Sequence, residues 1–203
     1  MFRLTLLILM CVSSLPVFAG NKTVLILGDS LSASYGMSIQ QGWVSLLEQR
    51  LAEADYEYTV INASISGETT AGAKVRINTL LESVIPDITI VELGGNDGLR
   101  GLSPDDMLAN LAEIINALRQ AGSGILLIPI NLPPNYGKVY NDKIRGSYDH
   151  LAEQEGVYLG RFILDGIGDN PDLMQSDGIH PTVQAQPIML ENIWPDLEPL
   201  LDK

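Results

Sequence analysis

Val24-Leu25-Ile26-Leu27-Gly28-Asp29-Ser30-Leu31-Ser32 decides how the rest of the chain is read. Four branched apolar residues in a row predict a strand buried on both faces, and Gly28 ends it. The Gly-Asp-Ser-Leu turn that follows places the Ser30 hydroxyl at the carboxyl end of a strand. In open α/β sheets that edge is where ligands sit.

Upstream of this strand, Arg3 precedes an apolar run over residues 4–12, and Val17-Phe18-Ala19 has the small-x-small form of a cleavage site. The pattern predicts a secretory leader over residues 1–19, removed after Ala19, and a run too short to span a bilayer. Residues 20–203 then form one domain of ordinary length. The single cysteine, Cys11, falls in the leader, so the mature chain relies on its core and holds no disulfide. The net charge is −13 and becomes −14 once Arg3 is gone. Such a surface repels nucleic acid and anionic membranes and keeps a protein soluble. The expectation is an exported (periplasmic or secreted) monomer without nucleic-acid partner or stable membrane insertion.

Downstream, strands and helices alternate. Residues 31–40 suit a loop, and Val44, Leu47 and Leu51 predict a helix over residues 41–55. A short strand around Tyr58, Val60 and Ile61 runs into Asn62-Ala63-Ser64-Ile65-Ser66-Gly67. A helix over residues 69–84, stopped by Pro86, has the apolar positions Val75, Ile77, Leu80, Leu81 and Val84. The third strand, residues 88–93, meets Gly94-Gly95-Asn96-Asp97-Gly98. Ser103 then caps a strongly amphipathic helix, with Pro104 in first place, Asp106 completing a capping box, and Gly122 closing it. A strand over 125–130, a helix over 138–155 and a strand over 157–159 follow. A Gly-, Asp- and Pro-rich loop spans 165–181, and a closing helix over 182–201 is broken at Pro187 and Pro195. This alternation predicts a three-layer α/β/α sandwich around a mostly parallel sheet of about five strands.

Two histidines are available as a general base. His150 lies in a polar helical stretch and reads as a solvated residue. His180 sits in Asp177-Gly178-Ile179-His180-Pro181, where an aspartate three residues earlier on a glycine turn can accept from one ring nitrogen and fix the tautomer. Such a pairing also arises by chance in loops. Three strands end in small-residue loops at Ser30, Gly67 and Asn96, which a parallel sheet brings side by side. The Ser30 N–H, the Gly67 N–H and the Asn96 amide can then face one developing oxyanion. Gly67 and Gly94-Gly95 serve equally as tight turns.

Taken together, Gly28-Asp29-Ser30-Leu31, Gly67, Gly94-Gly95-Asn96-Asp97 and Asp177-Gly178-Ile179-His180-Pro181 occur in the order of the SGNH, or GDSL, hydrolase family, and the chain resembles it over nearly all of residues 20–203. The blocks 62–67 and 91–101, with Asn135-Tyr136-Gly137, resemble its bacterial multifunctional group of thioesterase, protease and lysophospholipase activity. The resemblance implies a flavodoxin-like SGNH fold and an acyl-enzyme mechanism. Ser30 is then the nucleophile, His180 the base, Asp177 the orienting carboxylate, and Ser30, Gly67 and Asn96 the oxyanion hole. It implies a small acyl ester, thioester or lysophospholipid as substrate and no cofactor. Asp29 reads as structural. Ser34 stands where the group has glycine, and Pro133-Pro134 stiffens the loop on the acyl-binding side.

Four competing readings remain. A metal hydrolase lacks a His-x-x-x-His pattern, and Asp165, Asp169, Asp172 and Asp177 fit no calcium loop. A nucleotide binder lacks a Gly-x-Gly-x-x-Gly or P-loop signature. A non-catalytic ligand-binding module would not need the whole residue set. A carbohydrate O-acetyl esterase would share all of it.

Overall fold

The computed structural model describes residues 22–154 and 156–202, and the expected leader lies outside the described residues. Five parallel strands, β1 (Lys22–Gly28), β2 (Tyr58–Asn62), β3 (Ile88–Glu92), β4 (Gly124–Leu127) and β5 (Val157–Leu159), lie in the order β2-β1-β3-β4-β5. The parallel α/β/α sandwich is as expected. Its order reverses at β1, which has β2 on one side and β3 on the other, so a crevice opens above the ends of β1 and β3.

The helices are α1 (Trp43–Glu53), α2 (Thr70–Ser83), α3 (Gly95–Leu99), α4 (Pro104–Gln120), α5 (Lys138–Ala152) and α6 (Gln186–Leu197). The two-residue period of the strands sorts their apolar side chains between two cores. Leu25, Leu27, Val91, Ile125 and Leu127 pack with residues of α2, α4 and α5. Val24, Ile26, Ile88, Ile90 and Leu126 pack with residues of α1 and α6. The run that starts the reading is buried throughout because both faces are covered.

α4 carries the strongest local signals. Ser103 Oγ accepts from the Asp106 N–H at 3.3 Å, and Met107, Leu111, Ile114, Ile115 and Leu118 are buried. Each contributes roughly 1.5–3 kcal/mol of burial. The reciprocal half of the expected capping box is absent among the described residues, since aspartate is shorter than the usual glutamate. Gly122 adopts φ +86° and closes the helix.

Four expectations need correction. Val75 faces solvent, 82% exposed, and α2 buries Thr70, Ala73 and Ile77. The glycine-rich segment after β3 is the short helix α3, a form its composition disfavours. β4 ends at Leu127, although Ile128 still donates to Val91 O at 2.9 Å. α6 runs through both prolines. Pro187 lies in the first turn, where an N–H has no helical acceptor, and Pro195 removes one hydrogen bond near the helix end.

Ser34 takes φ +59°, a left-handed conformation, with its side chain buried against Gly42. Serine stands here at a place where the backbone favours glycine. Ser34→Gly should therefore raise stability by about 0.5–1 kcal/mol, the left-handed strain released less the entropy glycine adds to the unfolded chain. Urea unfolding of the two proteins measures it, and a clear loss of stability would show that the Ser34 side chain contributes more than its backbone costs.

Candidate active site

β1 ends at Gly28 opposite Glu92 of β3. A Cβ on Gly28 would lie 2.8 Å from Ser32 Oγ and 2.9 Å from Glu92 Oε2, so glycine lets the turn cross the end of β3 closely. Glu92 is completely buried beneath that turn. Its Oε2 accepts from Ser32 Oγ at 2.8 Å and from the Asp29 N–H at 3.4 Å, while Oε1 has no partner among the described residues.

Asp29 is also buried. Its Oδ1 accepts from the Leu31 N–H at 3.1 Å and its Oδ2 from Asn96 Nδ2 at 2.9 Å. Burial pushes the Asp29 carboxyl up to about 6. Burial and the neighbouring Asp29 charge hold the Glu92 carboxyl well above its usual range. Glu92 keeps its proton, because ionising it would bury a charge with one oxygen unpartnered, and Asp29, with two donors, carries the charge.

This arrangement gives Asn96 a defined orientation. A carboxylate only accepts, so the Nδ2 side of the amide must face Asp29, and its second hydrogen remains for another acceptor. Gly95 supports the contact, since a Cβ there would stand 3.1 Å from Asp29 Oδ2. Asp29 is thus more than a turn residue: it sets which face Asn96 shows. α3 is fixed in turn by Asp97, whose carboxylate accepts from Thr70 Oγ1 at 2.6 Å and the Thr70 N–H at 2.9 Å.

Gly67 follows β2 with φ +78°, and its carbonyl accepts from Arg100 Nη2 at 2.8 Å. The N–H groups of Ser30 and Gly67 have no acceptor among the described residues. The loop before Gly67 is tied to the turn that carries Ser30 by the Ile65 N–H to Gly28 O at 3.1 Å and Asn62 Nδ2 to Ser32 O at 2.8 Å.

His180 reaches the same place from the other end of the chain. Its Nε2 lies 3.0 Å from Ser30 Oγ and its Nδ1 2.7 Å from Asp177 Oδ2. Asp177 Oδ1 accepts from the N–H groups of Ile179 and His180, at 2.9 and 3.0 Å. The His180 backbone and side-chain hydrogen bonds and the Ile179 N–H together lower the Asp177 carboxyl to about 2. It therefore stays ionised across the pH range in which imidazole titrates. The Tyr35 ring stacks on His180 with centroids 4.1 Å apart. His150 is exposed on α5, 3.7 Å from Glu153 and apart from these groups.

Ser30, Gly67, Asn96, Asp177 and His180 are thus brought to one edge of the sheet. Sequence reasoning passed over Glu92, Tyr35, Gln175 and the part Asp29 takes. Glu92 did leave a signal: it is the lone charge in a third strand whose other residues, apart from Thr89, are apolar. No group of three or more His, Cys, Asp or Glu among the described residues is placed to hold a metal ion. A groove of about 400 Å³ between α2 and α4, lined by Lys74, Leu102, Asp106 and Asn110, lies apart from Ser30 and His180.

A serine, an imidazole and a carboxylate in series at the switch point of a parallel sheet are the arrangement of a serine hydrolase. The chain belongs to the GDSL-like lipase/acylhydrolase family, whose pattern matches residues 26–186, and is a hydrolase acting on ester bonds. It is 48% identical to esterase TesA of Pseudomonas aeruginosa over 183 residues, covering 90% of this chain and 91% of that protein. It is 40% identical to thioesterase 1/protease 1/lysophospholipase L1 of Escherichia coli K12 over 184 residues, covering 91% and 87%. The crystal structure of the psychrotrophic esterase EstA from Pseudoalteromonas, inhibited by monoethylphosphonate, superposes with a TM-score of 0.84 at 38% identity, covering 88% of this chain and 97% of that one.

The buried carboxyls have a consequence for stability. A carboxyl whose folded pKa is raised contributes stability that is fully present below its unfolded value, about 4.3 for glutamate, and lost as pH rises through the folded value. Glu92→Gln keeps the acceptor for Ser32 and removes the titration. Its stability advantage over wild type should grow from pH 4.5 to pH 8, by up to about 1.4 kcal/mol per pH unit. Parallel curves in urea unfolding at several pH values would show that Glu92 ionises in the fold without cost.

Proposed function

We propose that Ser30 is the nucleophile of an exported acyl hydrolase, with His180 as general base and Asp177 as its orienting carboxylate. The observation that carries the proposal is the continuous contact from Asp177 through His180 to Ser30, beside the unpartnered N–H groups of Ser30 and Gly67. Ser30 Oγ attacks the acyl carbonyl while His180 Nε2 takes its proton. The oxyanion that forms is held by the N–H groups of Ser30 and Gly67 and by the free hydrogen of Asn96 Nδ2. Collapse of this intermediate expels the alcohol or thiol, which takes the proton from His180. Water, deprotonated by the same imidazole, then releases the acid and restores Ser30. No step calls for a cofactor, and one copy of the chain carries every group used.

Esters and thioesters of fatty acids, lysophospholipids included, are the proposed substrates, supported by the names of the relatives at 40–48% identity. The leader over residues 1–19 supports an exported location. Coenzyme A is cytosolic, so free and lipid-derived esters fit that location better than acyl-CoA. No helix among the described residues is long and apolar enough to cross a membrane.

Ser30→Ala should remove hydrolysis and labelling by a fluorophosphonate while leaving the protein folded. Turnover at ordinary rates in that variant would dismiss Ser30 as nucleophile. Across esters from C2 to C16 the wild type should favour medium or long chains, whereas a sharp preference for C2 would move the assignment to an O-acetyl esterase.

Asn96→Ala should lower kcat by about 10²–10³, the usual loss of an oxyanion donor. Asp29→Asn should lower it in the same direction by letting the Asn96 amide turn. The double variant should then be no slower than Asn96→Ala alone, because the two residues act through one hydrogen bond. Multiplicative losses would mean that Asp29 acts independently of Asn96.

A further inference from the structure

Ser30 and His180 lie 150 positions apart, and the loops that carry them leave the sheet separately. The base loop, residues 174–181, is closed on itself by the bridge between Met174 and Pro181 and by the Thr182 N–H to Leu173 O at 2.8 Å. Neither contact reaches the nucleophile turn. Residues 176–179 are exposed, and burial holds the loop only at its base, through Met174 and Pro181. The 3.0 Å approach of His180 to Ser30 needs another cause.

Gln175 supplies one. Its Nε2 donates to Tyr35 O at 3.0 Å and to Pro181 O at 2.9 Å, so a single amide joins the nucleophile loop to the base loop. Both partners are carbonyls, which only the NH₂ end can satisfy, and that fixes the amide orientation. At the backbone, the Gln175 N–H donates to His180 O at 2.7 Å and Gln175 O accepts from the Gly178 N–H at 2.9 Å. On the other side, the Tyr35 N–H donates to Ser30 O at 3.3 Å. A continuous path of hydrogen bonds therefore runs from the backbone of Ser30, through Tyr35 and Gln175, to the backbone of His180.

Gly36 makes room for this contact. It takes φ +77°, and a Cβ there would stand 2.5 Å from Gln175 Oε1. Tyr35, held by its carbonyl, lays its ring on the imidazole. Apart from the Ser30–His180 contact itself, the Gln175–Tyr35 hydrogen bond is the one that joins the two loops among the described residues.

We infer that Gln175 is a positioning residue for the reaction, clasping the base loop to the nucleophile loop and, through Tyr35, holding the His180 ring at its distance from Ser30. The inference rests on the roles proposed for Ser30 and His180. A displacement of about 1 Å between reacting groups costs about a hundredfold in rate, so a lost clasp is read in turnover before it is read in stability.

Two variants of similar size test it. Gln175→Glu replaces both donors by a carboxylate facing two carbonyl oxygens, and Gln175→Met removes the donors without adding charge. In each, kcat and the rate of fluorophosphonate labelling at Ser30 should fall by about tenfold to a hundredfold, with KM changed by less than about threefold. The melting temperature should shift by only a few degrees. Space-filling alone would be preserved in both, so wild-type labelling rates in the two folded variants would overturn the inference. Should Gln175→Glu fail to fold, Gln175→Met decides the matter. Failure of the wild type to label at Ser30 would instead overturn the nucleophile assignment, so the two failures are distinct.

Discussion

The parallel pairing of β1 with β3, with Gly28 opposite Glu92, governs the chemistry at the edge of this sheet. It is the place where the strand order reverses, so no helix connection crosses above it and the crevice stays open. The pairing brings a carboxyl directly under the turn that carries Ser30. That carboxyl is accommodated by keeping its proton and accepting from Ser32 and Asp29. One buried residue thereby holds Asp29 by its N–H and Ser32 by its hydroxyl, on either side of Ser30.

The two halves of the site are built on different physics. Ser30 and Asn96 are held from below by a desolvated network of Asp29, Ser32 and Glu92, in which each hydrogen bond is strengthened by burial. His180 and Asp177 stand on an exposed loop held by turn geometry, two N–H donors to Asp177 and the hydrogen bond from Gln175 to Tyr35. Burial raises the carboxyl of Asp29, while hydrogen bonds lower that of Asp177. Two aspartates in one site therefore hold their charges for opposite reasons. One is charged despite its surroundings and turned toward an amide; the other is charged because of them and turned toward an imidazole.

Much of this was legible in the residues. The unbroken apolar run before Gly28 requires cover on both faces, and the cap and stripe of α4 announce a helix with both of its ends. The four motif blocks carry the residues that meet at the switch point. The misreadings have a common origin in local rules that tertiary packing overrides. Glycines in α3 read as loop, yet Asp97 locks that segment to the start of α2. Prolines in α6 read as breaks, yet the burial of Met189, Leu190, Ile193 and Leu197 outweighs one missing hydrogen bond.

Local pattern alone determined most of the elements, their alternation, the two-sided burial of β1 and the residue types available for acyl transfer. These follow from periodicity, turn chemistry and composition, all short-range properties of a chain. The fold decided which groups touch: that Asn96 turns its nitrogen to Asp29, that Glu92 lies protonated beneath Ser32, and that Gln175 joins loops 140 positions apart. Hydrogen-bond partners and ionisation states depend on distance and desolvation, and neither exists until distant segments pack together.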